Sequence, residues 1–125
     1  MDDIERRMEL ERAQEKVHNQ KFDFFDQAED ARKDGDVKTA EGLYLKAIEI
    51  CEDDPIAELD PVPPAPYASL AKMLYHRGQQ KEPVSVLKRY EGFEQEQGRE
   101  PADHMKQLRV RIENKKMKRQ PWRYE

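Results

Sequence analysis

Gly35-Asp36 stands between two stretches in which small and large apolar residues recur every three or four positions, and that arrangement restricts the chain to helices packed side by side. Before it come Phe22, Phe24, Phe25, Ala28 and Ala31. After it come Val37, Ala40, Leu43, Tyr44, Ala47, Ile48 and Cys51. The spacing predicts two helices. Gly35 suits the left-handed residue that ends the first, and Asp36 can cap the second by accepting an early backbone N–H. A linker this short makes the two helices antiparallel neighbours. Ala28, Ala40 and Ala47 are expected where the axes come close, because larger side chains would hold the helices apart.

The remaining segments extend the pattern. Residues 1–21 read as an N-terminal helical extension with sparse apolar positions, Ile4, Met8, Ala13 and Val17, which tolerate a helix but drive it weakly. The first helix pair covers 22–52. A proline-rich connector follows over 53–66, with Pro63-Pro64 favouring extended geometry and Pro64 or Pro66 able to open the next helix. Tyr67, Leu70, Ala71, Leu74 and Tyr75, ending at Gly78, then Val84, Leu87, Tyr90 and Phe93, ending near Gly98, predict a second pair over 64–98. Pro101 opens a last helix, 101–119, whose Met105, Leu108 and Ile112 make a single apolar stripe. Residues 120–125 form a tail. The fold class expected is all-α.

Charged residues are 40% of the chain and the hydrophobic set 36%, against about 25% and 45–50% in average domains. Ten aromatics nevertheless supply burial that a disordered chain lacks. Residues 1–60 hold 19 acidic and 9 basic groups, whereas residues 101–125 hold 3 and 8. The acidic head and basic tail lack the domain-wide basic footprint of a nucleic-acid module, so nucleic acid is an unlikely partner. A single cysteine, Cys51, excludes an internal disulfide and a cysteine zinc set. The charged N-terminus and the lack of a long apolar run imply no membrane segment and a cytoplasmic protein.

The two helix pairs resemble the tetratricopeptide repeat, a helix pair of 34 residues with an aromatic and small-residue signature. Phe24, Ala28, Gly35-Asp36, Ala40, Tyr44 and Ala47 carry the match in the first unit, with Gln27 standing where leucine is usual. Tyr67, Leu70, Ala71, Leu74 and Gly78 carry it in the second, where Pro83 and Tyr90 replace alanines. The run around Gly35-Asp36 is also similar to the microtubule-interacting and trafficking domain, a single hairpin that has no place for the second unit. The repeat resemblance implies a short array of two antiparallel helix pairs with the last helix as its cap.

Arrays of that family bind extended or helical peptides in a groove lined by the first helix of each pair. Carried onto this chain, the resemblance puts Phe22, Phe25, Glu29, Arg32 and Lys33 in the groove from the first unit, and Ala65, Ala68, Lys72, Tyr75 and His76 from the second. The lysine and asparagine clamp of the chaperone-tail receptors is absent, since Phe25, Glu29, Ala68 and Lys72 hold those places. The resulting expectation is a non-catalytic adaptor for a protein or peptide segment, of acidic character because Arg32, Lys33, Lys72 and His76 converge. Self-association through the N-terminal helix, giving a homo-oligomer, is the alternative, and a nucleic-acid contact through the tail with Trp122 and Tyr124 is a weaker one. No catalytic residue, metal site or cofactor is expected: His18, His76 and His104 lack paired metal spacing, and no phosphate loop is present.

Overall fold

The computed structural model describes residues 3–119, and of residues 13–20 only the backbone. Over the described residues the chain forms five α-helices and one short 3₁₀ turn, with no strand. These are α1 (Asp3–Lys33), α2 (Val37–Asp53), the turn Pro55–Glu58, α3 (Ala65–His76), α4 (Lys81–Glu96) and α5 (Asp103–Glu113). The class is all-α, as the three-and-four spacing predicts. The tail 120–125, with Trp122 and Tyr124, lies outside the described residues, as do the side chains of Ala13, Val17 and His18.

α1 is one helix of 31 residues, running through the expected boundary at residues 21 and 22. Neither glycine nor proline interrupts it. Asp3 and Glu5 in its first turn and Arg32 and Lys33 in its last oppose the helix dipole. At a rise of about 1.5 Å per residue, α1 is about 46 Å long and the 17-residue α2 about 25 Å. The N-terminal part of α1 therefore overhangs, and residues 3–12 are exposed throughout.

Contacts between α1 and α2 run in opposite order along the two helices. Glu29 and Arg32 meet Tyr44, the Phe25 ring lies 6.0 Å from the Tyr44 ring, Lys46 Nζ lies 5.4 Å from the Phe24 ring, and Lys21 pairs with Asp54. Ala28, Ala40 and Ala47 are fully buried in this hairpin. Asp36 caps α2 by accepting the Thr39 N–H at 3.2 Å. The core continues through Tyr67, Leu70, Ala71 and Met73 of α3, Leu87 and Tyr90 of α4, and Met105, Leu108 and Ile112 of α5.

Four helices end in the same way. Gly35, Gly78 and Gly98 have φ of 85°, 94° and 74°, and in each case the following residue returns its N–H to the carbonyl five positions back: Asp36 to Ala31, Gln79 to Leu74, Arg99 to Glu94. α5 ends identically, with Lys116 N–H on the Arg111 carbonyl, but the left-handed residue there is Lys115, at φ 54°. A Cβ at that φ is strained, so Lys115→Gly is expected to stabilise the fold by about 0.5–1 kcal/mol. Thermal denaturation measures it; a lowered melting temperature would contradict the assignment.

The connector is pinned at both ends. Asp54 caps the 3₁₀ turn through its Oδ1, which accepts the Ile56 N–H at 3.0 Å. Ala57 and Val62 are buried, and the Val62 N–H donates to Glu94 Oε1 at 3.0 Å. Glu94 is only 1% exposed and binds the Arg99 guanidinium through both oxygens at 2.7 and 3.1 Å. α3 opens with Pro66 in its first turn, and Pro83 sits in the first turn of α4, where its missing N–H costs nothing. α5 begins at Asp103, two residues past Pro101, because Ala102 stays extended at ψ 136° and gives its N–H to Tyr90 Oη at 3.1 Å.

A polar joint ties α2, α3 and α4 together. Tyr67 Oη donates to Glu52 Oε2 at 2.8 Å, Arg89 engages both oxygens of Glu52 at 2.7–3.2 Å, and the Tyr67 and Tyr90 rings stand 5.3 Å apart.

Candidate binding groove

Side chains of α1, α2, the connector and α3 meet at an apolar hollow on the surface. Lys21, Phe22 and Phe25 of α1, Cys51 of α2, Pro63 of the connector, and Ala65 and Pro66 of α3 line a notch of about 20 Å³. Three of these, Phe22, Phe25 and Ala65, are among the residues projected from the resemblance. Phe22 is 42% exposed at its rim, while Phe25 is half-buried against Tyr44. Burial pushes the Cys51 thiol up to about 11, against the lowering influence of Lys21, so the notch wall is not nucleophilic at neutral pH.

One helix turn or more along α1 from the notch, polar residues take over. Glu29 accepts from Tyr44 Oη at 2.7 Å, is ion-paired with Arg32, and is bonded by Ser69 of α3. Arg32 also donates through Nε to Tyr44 Oη at 3.3 Å. Burial raises the Glu29 carboxyl, but the bonds from Arg32, Tyr44 and Ser69 outweigh it and hold the group below the usual range. The Tyr44 hydroxyl is held well above its usual value by burial and by the Glu29 carboxylate. Arg32 is thus engaged within the protein. Lys33 and Lys72 are exposed.

At the C-terminal end of α3 the chain covers residues that the resemblance projects into a groove. Tyr75 is buried, its hydroxyl donating to the Met117 carbonyl and its ring lying 4.7 Å under the Arg119 guanidinium. Arg119 also donates to the Tyr75 carbonyl at 3.1 Å and the Gln79 carbonyl at 3.3 Å, which places its charge at the C-terminus of α3, where the helix dipole favours a cation. His76 packs edge-on to Tyr75 at 5.7 Å. Burial, with Lys72 and Arg119 adding to it, holds its imidazole below the usual value.

The structure therefore brings Phe22 and Phe25 together with Ala65, brings Glu29 and Arg32 together with Tyr44 and Ser69, and gathers Lys72, Tyr75 and Arg119 around His76. Sequence reasoning did not place Lys21, Cys51, Pro63 or Pro66 at the site. For Lys21 a signal existed: it precedes Phe25 by four residues and Ala28 by seven, on the same helix face. Among the described residues no group of three or more His, Cys, Asp or Glu is placed to hold a metal ion, and no helix is long and apolar enough to cross a membrane. No family model matches the chain, and comparisons with curated proteins and with solved structures likewise find no match.

Proposed function

We propose that the chain is a non-catalytic interaction module, a short tetratricopeptide-like array that holds a segment of a partner protein in the groove between α1 and α3. The observation that supports this reading above others is the notch of Phe22, Phe25, Pro63, Ala65 and Pro66, an apolar recess with one half-exposed ring at its rim. Such a recess gives an anchor for one apolar side chain, the arrangement on which interface affinity concentrates. Exposed Lys33 and Lys72 further along α1 and α3 favour acidic residues elsewhere in the segment.

Selection of peptides from a random displayed library against the folded chain tests the reading. Enriched peptides are expected to share an apolar residue with neighbouring carboxylates. Phe22→Asp should abolish their binding without changing the helical spectrum, because Phe22 lies at the rim. Lys72→Glu should weaken binding about threefold to tenfold and lessen its salt dependence, since an exposed charge acts mainly through steering. Peptides indifferent to both changes would remove the groove from consideration.

Self-association is the second reading, and the exposed Ile4, Met8 and Leu10 on the overhang of α1 favour it. Sedimentation of the chain with and without residues 1–20 separates the two, since only self-association requires that overhang.

A further inference from the structure

Past α5 the chain turns at Lys115 and runs back over the last turn of α3. Gln80 Nε2 donates to the Ile112 carbonyl at 2.7 Å, Met117 packs against the core with its carbonyl on the Tyr75 hydroxyl, and Arg119 reaches the carbonyls of Tyr75 and Gln79 and, at 3.0 Å, Gln80 Oε1. The Arg119 guanidinium thus meets three oxygens and the face of the Tyr75 ring, a set that suits its planar fork and that a lysine ammonium cannot match. Residues 115–119 read "KKMKR", and among the described residues Arg119 is the cation of that stretch whose side chain is engaged.

Pinning the segment at Arg119 holds the other cations in place. Lys115, Lys116 and Lys118 are exposed, as are Arg77, which follows α3, and Lys81, which begins α4. Among the described residues none of the five makes an ion pair. Glu113 is held by Arg109, and Glu82 stands exposed beside Lys81. A cluster of like charges held together repels itself and attracts an anion. A long phosphate polymer is poorly suited to it: residues 1–60, with 19 acidic against 9 basic groups, repel such a polymer beyond this end of the molecule, and the Tyr75 ring is buried under Arg119 and not offered to a base. A short run of carboxylates meets neither obstacle. We infer that the end of α3, the start of α4 and residues 115–119 together dock an acidic segment of a partner protein, with Arg119 as the positioning residue that holds the lysines there. This surface lies at the opposite end of α3 from the notch, and neither depends on the other.

Titration of the isotope-labelled full chain with N-acetyl-hexaglutamate amide, followed by amide NMR, tests this. Saturable shifts are expected at Arg77, Lys81 and residues 115–119. Lys116→Gln together with Lys118→Gln removes two exposed charges and should weaken binding about tenfold and lessen its salt dependence. Arg119→Lys keeps the net charge but gives up the fork, and should weaken binding about threefold or more because the lysines are no longer held. Unchanged affinity in either variant, shifts confined to other surfaces, or tighter binding of hexathymidylate than of hexaglutamate would each overturn the inference. Should a variant lose its helical spectrum, the location of the shifts and the comparison of hexaglutamate with hexathymidylate on the unaltered chain still decide. Phe22→Asp is expected to leave hexaglutamate binding unchanged, so the notch and this surface stand or fall separately.

Discussion

Glu94→Ala is expected to destabilise the fold by about 3–5 kcal/mol, the range for removing one partner of a buried ion pair. The change leaves the Arg99 guanidinium, only 15% exposed, without its bidentate acceptor, and it orphans the Val62 N–H in the connector. Glu94→Gln keeps an oxygen for Val62 and should cost less. Burial pushes the Glu94 carboxyl up, but Arg99 and the Val62 N–H outweigh it and hold the group below its ordinary 4.5. The sign of the pH dependence follows: the contribution is complete above the unfolded value and is lost as pH falls through the depressed folded value. Acid unfolding below about pH 4.5 should therefore flatten in Glu94→Gln, with Glu29, lowered in the same direction, accounting for part of what remains. Chemical denaturation at neutral and acid pH checks both statements, and a Glu94→Ala loss under about 1 kcal/mol would contradict the anchoring of the connector.

Tyr67→Ala should cost about 3–5 kcal/mol, as truncations of large buried rings do. Tyr67 is fully buried, so the change opens a cavity beside Tyr90 and removes the donor to Glu52 at the joint of α2, α3 and α4. Tyr67→Phe isolates the hydroxyl and should cost about 1.5–3 kcal/mol, the net contribution of a hydrogen bond to a charged group. Equilibrium urea unfolding of the two variants partitions ring from hydroxyl. If Phe and Ala cost the same, the ring packing between α3 and α4 contributes nothing and the joint is purely polar.

Much of the helical layout was legible because it depends on local chemistry. Gly35, Gly78 and Gly98 stop helices since only glycine takes positive φ freely, and Asp36 caps α2 with an oxygen at the right register. Lys115 does the same job as the glycines, yet nothing in a lysine announces it. The division placed at residues 21 and 22 followed the weak apolar pattern upstream, but a helix stops at a breaker, and α1 contains none. The site was less legible because its chemistry is set by partners distant in sequence. Glu29 precedes Arg32 by three residues, so their pairing could be read; Tyr44, which holds both, arrives from the next helix. Tyr75 looks like an exposed groove ring until Met117 and Arg119, more than forty residues later, fold over it. The same contact accounts for part of the basic tail: Arg119 serves the carbonyl end of α3.

The groove itself is tested most directly by photo-crosslinking. A library-selected peptide carrying a diazirine at its apolar residue should, after irradiation and peptide mapping, be joined to Phe22, Phe25 or Pro66, and Phe22→Asp should remove that product. Crosslinks confined to residues 3–12 of α1, or to the face formed by α4 and α5, would contradict the proposal that a partner segment binds between α1 and α3.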